Sequence, residues 1–202
     1  MITLGVLVSG GGTNLQAIID AIARGELDAR IAVVVSSNPE AYGLVRAENA
    51  GIPHVAMQRS DYDDPTAADE AIVRVLGEHG VEYVVMAGYM RMVRQPLLDA
   101  FPNRIVNLHP ALLPSFAGAH GIADAFAHGV KVTGVTVHFA NAEMDAGPII
   151  AQRAVEVLPD DTLDTLEERI HEVEHEMYPQ VLGWLADGRV EVQSDGKVRI
   201  YE

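Results

Sequence analysis

The first half of the chain alternates short apolar runs with helical stretches, and this narrows the fold more than any other feature. Strand candidates are Thr3–Val8, Arg30–Ser36, His54–Met57, Tyr83–Ala87 and Arg104–Leu108. Helix candidates lie between them, near Leu15–Arg24, Ala41–Ala50 and Ala67–His79. Continuous apolar strands separated by helices predict an α/β fold with a mostly parallel central sheet and helices on both faces. Ligands of such sheets bind outside the carboxyl ends of the strands. The loops after Val8, Ala87 and Leu108 are therefore the first places to look for a site.

The second half has another rhythm. Gly134–Phe139 and Ile149–Val157 read as longer strands, antiparallel to each other and joined through Asp145-Ala146-Gly147-Pro148. A long helix is expected from about Leu163 to Leu185, with Leu163, Leu166, Ile170, Val173, Met177 and Val181 at helical spacing and a kink at Pro179. Val190–Tyr201, centred on Asp195-Gly196, reads as a β-hairpin. At 202 residues, with no repeat or linker, the chain is expected to form one domain, 1–202.

Charge and composition exclude several functions. The formal net charge is −15, and Lys131 and Lys197 are the only lysines. Nucleic acid is bound largely by neutralising phosphates with Lys and Arg, so no nucleic-acid partner is expected. No apolar run approaches the roughly 20 residues of a membrane helix, so no membrane partner is expected either. The N-terminus enters the first strand without a secretory signal, which predicts a cytoplasmic protein. There are no cysteines, which removes disulfides, thiolate ligands and a cysteine nucleophile together. A homo-oligomer is compatible with the sequence.

Three places carry candidate chemistry. Ser9-Gly10-Gly11-Gly12-Thr13-Asn14 joins the first strand to a helix. Glycines let the backbone approach an anion, and the helix start offers unpaired N–H groups. Leu15 stands where a dinucleotide-binding loop has its last glycine, so one phosphate fits better than two. A tight strand–helix turn would use the same glycines. In Asn107-Leu108-His109-Pro110, Asn107 and His109 lie two apart on a strand and so share a face. A carboxamide and a protonated imidazole can stabilise an oxyanion or pass on a proton, although an ordinary strand-end histidine fits the same pattern. A carboxylate such as Asp145 orients a nearby imidazole and raises its pKa. That pairing requires a tertiary contact which spacing does not show.

Together these segments resemble the folate-dependent formyltransferases over nearly the whole chain. The resemblance rests on Ser9–Gln16, Ala87-Gly88-Tyr89-Met90-Arg91, Asn107–Pro114, Thr133–Phe139, Met144–Ile150 and Glu174–Pro179. The run Asn-x-His-Pro-x-Leu-Leu-Pro with a later Asp-x-Gly-Pro is its most specific part. The resemblance implies a Rossmann-like formyltransferase fold, with a phosphate-binding half at about 1–100 and a catalytic, folate-binding half at about 101–202. It implies transfer of a formyl group from 10-formyltetrahydrofolate, as co-substrate and with no metal, to the amino group of glycinamide ribonucleotide in purine synthesis. It further implies that Gly12, Thr13 and Asn14 hold the ribonucleotide phosphate and that Glu174 contacts the ribose, with His171 facing the same substrate. Gly118 matches the glycine that approaches the substrate amine. Met90, Arg91, Met92 and Val93, with Asn107 and the loop Asn141, Ala142, Glu143, Met144 and Asp145, match the folate pocket. Asn107, His109 and Asp145 match the catalytic group. Two departures stand out. No arginine lies near Asp64-Pro65-Thr66, where some relatives place a folate contact and where Arg59 is the nearest substitute; and Gly121-Ile122-Ala123 replaces more polar residues.

Two other readings compete. His171-Glu172-Val173-Glu174-His175 matches the H-E-x-x-H of zinc metalloproteases on a predicted helix, with no third ligand beyond a distant Glu191. A non-catalytic folate- or nucleotide-binding module is the other alternative.

Overall fold

The computed structural model describes residues 1–202, the side chain of Arg59 excepted. The nearest substitute, Arg59, therefore lies outside the described side chains. The elements run β1 (Ile2–Val8), α1 (Thr13–Ala23), β2 (Ala29–Ser36), α2 (Tyr42–Asn49) and β3 (His54–Ala56). A 3-10 turn at Arg59–Asp63 leads to α3 (Pro65–Glu78), β4 (Tyr83–Met86), α4 (Gln95–Ala100) and β5 (Ile105–His109). Then follow α5 (Gly121–His128), β6 (Val132–Phe139), β7 (Ile149–Glu156), α6 (Leu163–Ala186), β8 (Val190–Val192) and β9 (Val198–Ile200).

One seven-stranded sheet has the order β3-β2-β1-β4-β5-β6-β7, and β8–β9 form the expected hairpin. β1 to β5 are mutually parallel, while β6 and β7 are antiparallel. The order reverses at β1, which pairs with β2 on one side and β4 on the other. A crevice opens at the carboxyl ends of such a pair.

Strand alternation sorts the core into two layers. Leu4, Val6, Val85, Val106 and Val137 pack with α1, α5 and α6, whereas Leu7, Val84, Met86 and Ile105 pack with α3 and α4. On β5 this leaves Asn107 and His109 on the same face as Ile105. α6 stays helical through Pro179. Its start is anchored by the Thr162 cap and by a two-pronged Arg169–Asp161 pair at 2.7 and 2.9 Å. That pair holds the Asp161 carboxyl well below the usual range.

Several boundaries differ from the sequence expectations. β5 ends at His109, one residue beyond the expected Leu108, and carries Asn107 and His109 on one strand as their spacing required. α4 and α5 were not anticipated. α4 is six residues long with a single buried apolar residue, Leu97, and α5 begins on a glycine. Neither gives a helical period long enough to read. Asp64 caps α3 through the N–H groups of Thr66 and Ala67, which accounts for Asp64-Pro65-Thr66 as a helix start. Among the described residues, no helix is long and apolar enough to cross a membrane.

Candidate active site

A cleft of about 570 Å³ opens along the carboxyl edge of β1, β4 and β5. Gly12–Asn14, Met90–Val93, Asn107, His109, Gly118, Asn141, Glu143–Asp145, His171 and Glu174 all line it. Ala142 does not; it is exposed beside the lining residues of its loop.

At one end lies the glycine-rich turn. Gly12 is the N-cap of α1 with φ 69°, the left-handed region, and a Cβ there would come 2.7 Å from Gly43 Cα. The first turn of α2 thus lies directly against the loop. It holds it through Gly43 N–H to Gly10 O at 3.0 Å and Arg46 Nε to Gly11 O at 2.8 Å. The N–H groups of Gly11–Asn14 have no protein acceptor among the described residues. Beside them Asn14 is buried, donates Nδ2 to Glu174 Oε2 at 2.9 Å, and leaves its Oδ1 unpartnered. His171 Nδ1 meets the same Glu174 oxygen at 3.0 Å, and that hydrogen bond raises the imidazole pKa. This end can therefore accept an anion on backbone N–H groups and hydroxyls on Glu174 and Asn14.

At the other end Met90–Val93 follow β4. The segment is pinned at both ends: Met90 N–H donates to Ser9 Oγ at 2.8 Å and Arg94 N–H to Asp69 Oδ2 at 2.6 Å. Asp69 is buried, and desolvation raises its pKa. Between the pins, the N–H groups of Arg91, Met92 and Val93 have no protein acceptor among the described residues. Such an edge, with apolar Met92, Val93 and Met144 around it, suits a flat heterocycle.

The polar centre is built across two strands. β5 and β6 pair Asn107 with His138 and His109 with Thr136, and directly paired residues share a face. His138 Nδ1 donates to Phe139 O at 2.9 Å, so its Nε2 accepts from Asn107 Nδ2 at 3.1 Å. Burial lowers the His138 pKa, in keeping with this neutral form. Asp145, at φ 53°, aims its carboxylate at both histidines: 3.5 Å to His109 Nδ1 and 3.7 Å to His138 Nε2. Its Oδ2 also accepts from Gly118 N–H at 2.8 Å. The other nitrogen of His109, Nε2, lies 2.8 Å from the carbonyl of Phe116. Both ring nitrogens of His109 therefore face oxygen atoms.

Asn107, His109 and Asp145 are thus brought together. His138 was missed. The alternation of Val135, Val137 and Phe139 with polar Thr136 and His138 marked a polar face, but only the β5–β6 register joins that face to Asn107. Pro110–Pro114 serves a scaffolding part. Thr136 Oγ1 donates to Ala111 O at 2.7 Å and accepts from Leu113 N–H at 3.1 Å, while Gln152 holds Leu113 O at 2.9 Å. Gly121 lies close against the site: a Cβ there would stand 3.0 Å from His109 Nε2 and 3.1 Å from Phe116 O, so a side chain would require these atoms to give way. Its neighbours Ile122 and Ala125 are buried, so the apolar start of α5 is core.

The H-E-x-x-H match takes no metal-site form. His171 is bound to Glu174, Glu191 is taken by the Tyr201 hydroxyl, and no group of three candidate metal ligands occurs among the described residues.

The chain is 44% identical over 177 residues to the phosphoribosylglycinamide formyltransferase of Bacillus subtilis, covering 88% of this chain and 91% of that protein. It is 41% identical over 193 residues, 96% of its length, to a stretch covering 19% of the human trifunctional purine biosynthetic protein adenosine-3. The crystal structure of glycinamide ribonucleotide transformylase 1 from Symbiobacterium toebii superposes with a TM-score of 0.97 at 49% identity, covering 100% of this chain and 95% of that one. With the Formyl transferase family model matching residues 3–182, the chain belongs to the formyl transferase family.

Proposed function

We propose that this enzyme transfers the formyl group of 10-formyltetrahydrofolate to the amino group of glycinamide ribonucleotide, in the cytoplasm, as a step of purine synthesis. The observation that carries the reading is the layout of the cleft. An anion-binding turn and an open heterocycle-binding edge lie at its two ends, with a carboxamide, an imidazole and a carboxylate clustered between them.

The phosphate sits on the N–H groups of Gly12–Asn14, the ribose on Glu174 and His171, and the pterin along Met90–Val93 and the Asn141–Asp145 loop. The substrate amine, near Gly118, attacks the formyl carbon, and the carbonyl π electrons move onto oxygen to give a tetrahedral oxyanion. The Phe116 carbonyl now occupies the hydrogen-bonding position at His109 Nε2 that this oxyanion would take over. Asn107, turned by His138, donates its second amide N–H to the same oxygen, and Asp145 balances the imidazolium. Collapse reforms the carbonyl and breaks the bond to the folate nitrogen, which leaves with a proton delivered by His109 or by water, while the proton shed by the attacking amine replaces the one that His109 or water gave up.

The decisive experiment incubates purified protein with both substrates and follows tetrahydrofolate and formylglycinamide ribonucleotide together. Stoichiometric formation of both is expected. Release of formate without formylated ribonucleotide would overturn the acceptor assignment.

A further inference from the structure

We propose that Ser9 is a positioning residue that couples the two substrate-binding ends of the cleft, so that filling the phosphate turn orders the heterocycle-binding segment. The inference rests on the formyl-transfer reading and extends it.

β1 and β4 are neighbours whose carboxyl ends lead to different ligand sites, and Ser9 is the residue where those ends are tied. Its N–H donates to Gly88 O at 3.1 Å, and its Oγ accepts from Met90 N–H at 2.8 Å. This two-way clasp joins the start of the Gly10–Asn14 turn to the start of Met90–Val93. A further hydroxyl contact at 2.5 Å links Ser9 Oγ to Ser37 Oγ, and Ser37 N–H donates to Val8 O at 3.0 Å. The turns after β2, β1 and β4 are therefore strung on one hydrogen-bonded line.

The line has a mechanical consequence. Gly10 and Gly11 are exposed and are tied to α2 through their carbonyls alone, so the N–H side of this stretch is left for an anion to fix. Once an anion holds the turn, the backbone of Ser9 is fixed, and Ser9 Oγ fixes Met90 in turn. A heterocycle arriving afterwards meets a segment already ordered and loses less entropy in binding. The effect is reciprocal: the folate must favour the phosphate ligand by the same factor.

The test uses two probes that cannot touch each other. Ribose 5-phosphate fills the phosphate turn without reaching the folate segment, and tetrahydrofolate carries no formyl group to transfer. Calorimetry would give the affinity for tetrahydrofolate with and without saturating ribose 5-phosphate. About a fivefold gain is expected in the unaltered protein, the lower end of common coupling factors. Ser9→Ala should bring the factor close to one, and Ser9→Thr, which keeps the hydroxyl, should restore most of it. A Ser9→Ala protein with undiminished coupling would overturn the proposal. Should that variant fail to fold, amide exchange at Met90 in the unaltered protein decides: slowing by ribose 5-phosphate supports the clasp, and no change overturns it. Binding of both probes without coupling defeats the clasp alone. Binding of neither defeats the formyl-transfer reading and the clasp with it.

Discussion

Gly11 and Gly12 are adjacent in the chain, yet they stand in very different surroundings. Nothing lies within 4 Å of a Cβ built on Gly11, whereas Gly12 combines φ 69° with Gly43 Cα at 2.7 Å. Gly11→Val should therefore leave stability nearly unchanged while weakening ribonucleotide binding at least tenfold. Gly12→Val should lower the melting temperature as well. Calorimetric titration and thermal melts on the two variants separate these outcomes. His109 and Asp145 call for a double-mutant cycle. Loss of an oxyanion stabiliser typically costs a hundredfold or more, so His109→Ala should lower kcat by about that much. Asp145→Asn should lower turnover more than binding, and the double variant should lose far less than the product of the two losses. Multiplicative losses would break the pair. His138 gives a pH signature. Burial holds it neutral when folded, while the unfolded side chain titrates near pH 6.5. Its contribution to stability is thus complete above about pH 6.5 and is lost as pH falls through the depressed folded value. Thermal melts between about pH 5 and 7 should rise with pH less steeply in His138→Gln than in the parent protein. His171, raised by its bond to Glu174, acts in the opposite sense, losing its contribution as pH rises above about 6.5, so the two windows do not overlap.

Among the elements, α6 has the largest hold on the sheet. Its fully buried Tyr178 directs one hydroxyl at Met86 O, 3.1 Å, and Val106 O, 2.9 Å, the last residue of β4 and the second of β5. Tyr178→Phe should cost about 1–2 kcal/mol, since the buried carbonyls lose that donor. Chemical denaturation would measure it, and a neutral result would mean that water replaces the hydroxyl. The same elements explain what the sequence made legible. The parallel half was readable because each strand is an apolar run and each long helix carries its own period. Asn107 and His109 were readable as a pair because strand periodicity is local. His138 was not, because its partnership depends on the β5–β6 register, which no short-range pattern encodes. The support of the Gly10–Asn14 turn by Gly43 and Arg46 was hidden for the same reason, the contacts spanning 33 and 35 residues. Ala142 shows the opposite case, where a contiguous motif implied a lining residue that the loop leaves outside the cleft.

The whole molecule carries a net charge of −15 and must admit substrates that are themselves anionic. Long-range repulsion of this kind is screened by salt, the Debye length falling from about 30 Å at 0.01 M to about 8 Å at 0.15 M. The kcat/KM for glycinamide ribonucleotide should therefore rise severalfold over that range, as steady-state kinetics would record. A flat or falling profile would mean that the local field of Arg46, His171 and the α1 N-terminus outweighs the global charge. One contact has a bearing on how the protein is made. Asn14 and Glu174 meet across 160 residues of chain, so the proposed ribose-binding end needs both the first turn and the last helix. A nascent chain still short of α6 has no such site, and neither has a fragment clipped before Leu163. Substrate can lend its binding energy only to finished copies, and in a cell rich in ribonucleotide those copies alone gain that protection from proteases.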